Sequence, residues 1–205
     1  SSVAVNDAPT LATVSDVSFD EDNSTSISLS GSDIDGDGLT YSITAGTDIT
    51  ATLTGSDVSF SAPADFNGSE TFTVTVSDGE LSDSQSITVT VNAVNDAPVA
   101  TVGLTGTTNE DQSIVVGLSG IDLDGDALTY SLDTDATNGS VVIDGNIATY
   151  TPTLNYNGDD TFSFTVHDSE LSDTAEVTLT IDPVNDAPIL ATVSDVSFDE
   201  DSSTS

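Results

Sequence analysis

The sequence predicts an all-β protein made of tandem antiparallel Greek-key β-sandwich domains in a linear array. Three observations lead there: a repeat of whole-domain length, short segments that alternate apolar residues with Thr or Ser, and the lack of any sustained helical period.

The repeat comes first. Val-Asn-Asp-Ala-Pro begins at Val5, Val94 and Val184, giving spacings of 89 and 90 residues. Asp33 to Tyr41 returns as Asp122 to Tyr130, and Phe66-Asn-Gly-Ser-Glu-Thr-Phe returns as Tyr156-Asn-Gly-Asp-Asp-Thr-Phe. A period of this size exceeds that of common solenoid units and approaches the roughly 100 residues of a seven-stranded sandwich. The expected organisation is repeat 1 over 1–93, repeat 2 over 94–183, and a linker with the first strand of a truncated repeat 3 over 184–205. Leu190 to Ser205 copies Leu11 to Ser26 with one change, Asn23 to Ser202, so this last piece is not expected to fold alone. Ser1 falls inside the repeat pattern and not in a signal sequence, so the chain is expected to be part of a longer one.

The alternation comes second. Phe72, Val74 and Val76, then Ile87, Val89 and Val91, are separated by Thr or Ser, which reads as strands buried on one face. Repeat 2 carries Phe162, Phe164 and Val166, then Val177, Leu179 and Ile181 at matching places. Gly, Asn and Asp clusters separate about seven such segments per repeat, and an antiparallel two-sheet sandwich with almost no helix accommodates them.

Composition then limits function. The 205 residues include 36 Asp plus Glu, no Lys or Arg, no Cys and one His, a formal charge of −36. Phosphate recognition draws on Lys and Arg, so nucleic acid and anionic membranes are excluded as partners. No apolar run approaches the roughly 20 residues of a membrane span, so no membrane insertion is expected. Without Cys or Lys the chain has neither disulfides nor a lysine isopeptide staple. Carboxylates that meet must stay hydrated, take up protons or share a cation, because burying them unpaired costs several kcal/mol each. Ca²⁺ suits irregular sites of about six to eight oxygens better than Mg²⁺ does.

The acids recur in loops: Asp-Glu-Asp at Asp20, Asp-Ile-Asp-Gly-Asp at Asp33, Ser-Asp-Gly-Glu-Leu-Ser-Asp at Ser77, and Asn-Asp of the linker at Asn95. Loops of a sandwich gather at its two ends, so acids distant in sequence can meet. Asp33 to Gly38 opens like an EF-hand loop, but the twelfth position is Thr44 where Glu is needed, and Ala127 replaces the Gly in the second copy. Paired acids could serve a glycosidase, yet an acid pair repeated in every unit, with His167 matched by Ser77, argues for no enzyme. Asn67 and Asn138 open an Asn-x-Ser pattern and Asn23 an Asn-x-Thr pattern, which chance explains in a chain so rich in Ser and Thr.

The linker, the acid before the second strand and the Asp-x-Asp after it resemble the calcium-binding layout of cadherin repeats. The ordered set Asn-Gly-x-Asp-Thr-Phe, Asp-x-Glu-Leu-Ser-Asp and Val-Asn-Asp-Ala-Pro is similar to bacterial cadherin-like, immunoglobulin-like tandem repeats of giant secreted calcium-dependent adhesins. The resemblance covers the whole chain. It implies a calcium junction between repeats 1 and 2 drawing on Glu21, Asp65 and Glu70, on Asn95 and Asp96 of the linker, and on Asp122, Asp124 and Asp168. By the same mapping Asp7, Asp33, Asp35 and Asp78 would belong to a junction with a preceding repeat, and Glu110, Asp160 and Asp186 to one with a following repeat. The linker lacks the second Asn of the cadherin Asn-Asp-Asn, and no clean Leu-Asp-Arg-Glu is present. The resemblance further implies an extracellular or bacterial cell-surface stalk acting in attachment or biofilm formation, whose partners are the neighbouring repeats through calcium. Carbohydrate or cell-surface binding and homotypic filament assembly are the alternatives. Sugar platforms usually need exposed aromatics, and the chain has no Trp and four Tyr.

Overall fold

The computed structural model describes residues 5–201 and contains no helix among them. The chain divides into two compact units, Ser1–Asn95 and Asp96–Ser205. Unit 1 holds β1 (Thr10–Leu11), β2 (Val17–Asp20), β3 (Ser24–Ser28), β4 (Gly31–Ser32), β5 (Thr40–Ile43), β6 (Thr50–Thr54), β7 (Asp57–Ser61), β8 (Gly68–Ser77) and β9 (Ser82–Asn92). Unit 2 holds β10 (Val99–Ala100), β11 (Leu104–Asn109), β12 (Ile114–Gly117), β13 (Gly120–Ile121), β14 (Thr129–Thr134), β15 (Gly139–Asp144), β16 (Ile147–Pro152), β17 (Gly158–His167) and β18 (Ser172–Asp182).

Each unit is a sandwich of a four-stranded and a three-stranded sheet, β2-β9-β8-β5 over β3-β7-β6 and β11-β18-β17-β14 over β12-β16-β15. A two-residue pair, β1-β4 or β10-β13, extends each. The sequence shows about seven segments per repeat and the structure nine, because two long strands are each broken in half. β1 and β2 are one strand that crosses from one sheet to the other, and β3 and β4 are one strand interrupted at Leu29 and Ser30. Most pairings are antiparallel; β2 with β9 and β11 with β18 are parallel.

Alternation gives each unit its core. Along β8, Phe72, Val74 and Val76 are buried while Thr71, Thr73 and Thr75 face outward, and β9 does the same with Ile87, Val89 and Val91. Phe60 meets Phe72 edge to face, with centroids 5.5 Å apart, an arrangement that matches the positive ring edge to the negative ring face. Unit 2 buries Tyr150, Phe162, Phe164, Val177, Leu179 and Ile181 in the corresponding places.

The segment after Asp182 differs from its expected form. No strand is formed over 183–201, and Leu190, Val193, Val196 and Phe198 are exposed. In repeat 1 the same sequence forms β1 and β2 by pairing with β4 and β9. The 205 residues hold no third-repeat counterpart of β4 or β9, the strands whose ladders order this sequence in repeat 1. Residues 202–205 of the expected third piece lie outside the described residues.

Candidate metal centre

Strand direction decides which acids meet. Thr40 pairs with Ser77, so the loop before β5 and the turn after β8 lie at the same end of unit 1, the end where its chain enters. Asp20 pairs with Asn92 and Gly68 with Val91, so Glu21 and the residues around Asp65 lie at the opposite end, where the chain leaves. Unit 2 repeats the arrangement, with Thr129 opposite His167 and Asn109 opposite Asp182.

At the entry end of unit 1, Asp33, Asp35 and Asp37 each bring a carboxylate oxygen within 4.8 Å of the others. The backbone creates this crowding. Asp33 Oδ1 accepts N–H bonds from Asp35 (2.8 Å) and Asp37 (3.2 Å), closing a turn on itself. Gly36 sits at φ 80°, a left-handed conformation that glycine takes without steric cost. Asp35 Oδ2 accepts the N–H of Asp7. Asp78 accepts the N–H groups of Glu80 and Leu81 on Oδ1 and the side-chain amide of Asn6 on Oδ2. Those donors, with the Leu81 N–H foremost and the Asn6 amide next, hold the Asp78 carboxyl below its ordinary range. Val5, Asn6, Asp35, Asp37, Asp78 and Glu80 line a cleft of about 490 Å³.

Unit 2 repeats the longer of these turn bonds, with Gly125 at φ 81°. Asp122 Oδ1 accepts the N–H of Asp126, Asp124 Oδ2 accepts the N–H of Asp96, and Asp168, 5% exposed, accepts the N–H groups of Glu170 and Leu171. The two repeats share one further feature. Asp33 Oδ2 and Asp122 Oδ2 are buried and have no hydrogen-bond partner. A desolvated carboxylate oxygen without a donor is costly, and a chain with no Lys or Arg has almost no cation of its own to offer. A hard divalent cation with oxygen ligands fits this donor set.

At the exit end, Glu21 and Glu110 are 4% and 5% exposed, and each accepts a backbone N–H, from Val94 and Val184 respectively. Asp65 stands at φ 57° and donates its N–H to Asp22 Oδ1. Asn95 closes unit 1, and Asp186 lies exposed beyond β18.

Glu70 and Asp160, which the cadherin layout places among the ligands, each hold a loop of their own unit. Glu70 accepts the N–H groups of Thr47 and Asp48, and these bonds, Asp48 first, lower its carboxyl below the ordinary value against the opposing effect of burial. A Cβ on Gly46 would collide with Glu70 Oε2, so the loop closes over the carboxylate only with glycine there. Asp160 holds the matching loop through Thr137 and Asn138 N–H and takes a hydrogen bond from the Tyr150 hydroxyl. Both side chains fasten a loop to the sandwich wall. Sequence reasoning passed over Asn6, which steadies Asp78, and Asp37, which completes the triad. Asn6 stands where Asn95 stands one repeat later, and that correspondence was the available signal.

Both units match the bacterial Ig domain family, over residues 6–91 and 95–180. The chain therefore belongs to that family, as two tandem copies of its domain. It is 37% identical over 131 residues to chitinase A of Pseudoalteromonas piscicida, an alignment covering 62% of this chain and 16% of that protein. Its fold is similar to human protocadherin-24 EC1-2, with a TM-score of 0.59 and 17% identity over 86% of this chain and 99% of that one. It is likewise similar to extracellular cadherin domains 1–4 of protocadherin gamma B7, with a TM-score of 0.52 and 16% identity over 87% and 52%. Among the described residues no helix is long and apolar enough to cross a membrane, which says nothing of a β-barrel.

Proposed function

We propose that this chain is part of a calcium-stiffened extender in an extracellular bacterial protein, mechanical and adhesive in role and not catalytic. The observation that carries this reading is the buried, unpartnered oxygen that Asp33 and Asp122 present at the same place in both repeats. Asp35 and Asp37 crowd their carboxylates against Asp33, and Asp78 lines the same cleft as Asp35 and Asp37. Asp124, Asp126 and Asp168 hold the matching sequence positions in unit 2, and all are the hard oxygen donors that Ca²⁺ takes. Calcium there relieves repulsion among acids that no internal cation balances. In the same reading, ligands from a neighbouring repeat complete each coordination shell, so that filling the sites turns linkers into fixed joints. Glu21, Asp65, Glu70 and Asn95 are the candidates for this from repeat 1, as Glu110, Asp160 and Asp186 are from repeat 2.

Small-angle scattering and calorimetric melting, in EDTA and in millimolar Ca²⁺, test the reading on the wild type and on Asp122→Ala with Asp124→Ala. A ligand present at about 100 times its Kd stabilises by about 2.7 kcal/mol, which for a domain of this size is a rise on the order of 10 °C. The expected result is extension and that rise in calcium, with the rise for repeat 2 lost in the double variant. An unchanged envelope and melting point would reduce the acids to a solvating shell.

The likeness to part of a chitinase favours a second reading, a non-catalytic module beside a polysaccharide-degrading domain. Calcium-independent retention on an insoluble polysaccharide would support it over the extender. Homotypic assembly, the remaining alternative, requires a mass that grows with concentration in calcium.

A further inference from the structure

Glu21 and Glu110 are among the few charged residues buried in either unit, and they hold the start of the chain's exit. In each unit an early strand and the last strand run side by side in the same direction, β2 with β9 and β11 with β18. Pulling a unit by its two ends slides these strands past each other, so every bond of the parallel ladder shares the load. The ladder continues one step past the last strand pair. Glu21 N–H donates to the Asn92 carbonyl at 2.9 Å, and Glu110 N–H donates to the Asp182 carbonyl at 2.9 Å.

In a regular parallel ladder the next donor, two residues on, would reach the main-chain carbonyl of that same glutamate. Here it cannot, because the chain turns away at once: Asp22 and Asp111 stand at φ 61° and 63°. The Glu21 carbonyl is instead taken by the Asn23 side-chain amide. The side chain fills the vacated position. Val94 N–H donates to Glu21 Oε1 at 2.5 Å, and Val184 N–H donates to Glu110 Oε1 at 2.5 Å. In unit 2 the other oxygen of Glu110 accepts the Asn157 side-chain amide. A carboxylate makes a stronger acceptor than the peptide carbonyl it replaces, and burial keeps water from competing for it.

We infer that Glu21 and Glu110 are latches that extend the shear-bearing ladder into the root of the linker, fixing Val94 and Val184 to the sandwich without any bound metal. This goes beyond the calcium reading and does not depend on it. A carboxylate has lone pairs to spare for a cation when calcium is present, while the latch holds the root in either condition.

The test uses the whole chain in EDTA. Because the chain has no Cys, Ser1→Cys and Ser205→Cys give unique handles for single-molecule pulling, and each molecule shows two unfolding events. Glu110→Ala should lower one of the two unfolding forces and leave the other unchanged, while Glu110→Gln, whose amide oxygen still accepts, should stay near the wild type. Amide exchange gives the local readout: Val184 protected in the wild type and exchanging at least about tenfold faster in Glu110→Ala, the loss expected for one charge-assisted bond. Both forces unchanged in Glu110→Ala, or Val184 exchange unaffected by it, would overturn the latch. If Glu110→Ala does not fold, an unprotected Val184 amide in the wild type overturns it equally.

Discussion

Position 150 is Tyr in repeat 2 where repeat 1 has Phe60, and position 160 is Asp where repeat 1 has Glu70. The two differences compensate. Glu70 is long enough to reach the N–H groups of its loop past a plain phenyl ring, whereas the shorter Asp160 meets its loop and leaves room for a hydroxyl, which donates to Asp160 Oδ2 at 3.0 Å. Burial first, then that acceptor and its charge, raise the Tyr150 hydroxyl well above its ordinary range, so it stays a donor throughout neutral pH. Tyr150→Phe should destabilise repeat 2 by about 2 kcal/mol, the loss of a hydrogen bond to a charged group. Adding Asp160→Glu should recover most of that loss, because the double variant restores the pair that repeat 1 already uses. A double-mutant cycle by urea unfolding checks this, and additive losses would refute the compensation. Neither job was legible in the sequence. A carboxylate two residues before a core Phe reads as solvated or metal-binding until the loop at 44–49 or 134–138 is seen to fold back over it.

The strands themselves were legible, because alternation along β8, β9, β17 and β18 names both the buried and the outward face. What the alternation could not show is where a strand breaks. β11 runs six residues in parallel with β18, while its counterpart β2 pairs over only four. Repeat 1 replaces the missing pairs with side chains. Asp16 Oδ1 accepts the Thr88 N–H, and Gln85 accepts from Val14 N–H while donating to the Leu11 and Ala12 carbonyls. Ala175 occupies the Gln85 position in repeat 2, where the longer ladder makes such a clamp unnecessary. Gln85→Ala should therefore destabilise repeat 1 by about 1–2 kcal/mol, since several backbone groups lose partners though water can reach some of them. Two-domain calorimetry reads it as one transition moving down while the other holds. Movement of neither would mean that the crossing segment is held by Asp83, which accepts the Leu11 N–H, and by packing alone.

Over the whole molecule the acids act in two opposite senses as pH falls. A charge of −36 opposes compactness through self-repulsion, and protonation relieves it. Glu70 and Asp78 act the other way. Their carboxyls are held below the usual 4.5 and 3.8 by backbone and amide donors. A depressed carboxyl stabilises the fold above its unfolded value, and that contribution is lost as pH falls through the lowered folded value. The two effects are separated along the pH axis, because relief of repulsion begins with the first protons the chain takes up, whereas the two depressed groups give up their contribution last. In EDTA the melting temperature should thus rise as pH falls from neutral and fall again once pH passes through the lowered range of Glu70 and Asp78. Glu70→Gln should shrink the acid-side fall for repeat 1, since an amide in that place has no proton to gain. A monotonic fall from neutral pH would mean that local carboxylate contacts outweigh self-repulsion throughout. If calcium fills the proposed site among Asp33, Asp35 and Asp37, the rise on acidification should also shrink in its presence, because the bound cation would have removed part of the repulsion that protonation relieves.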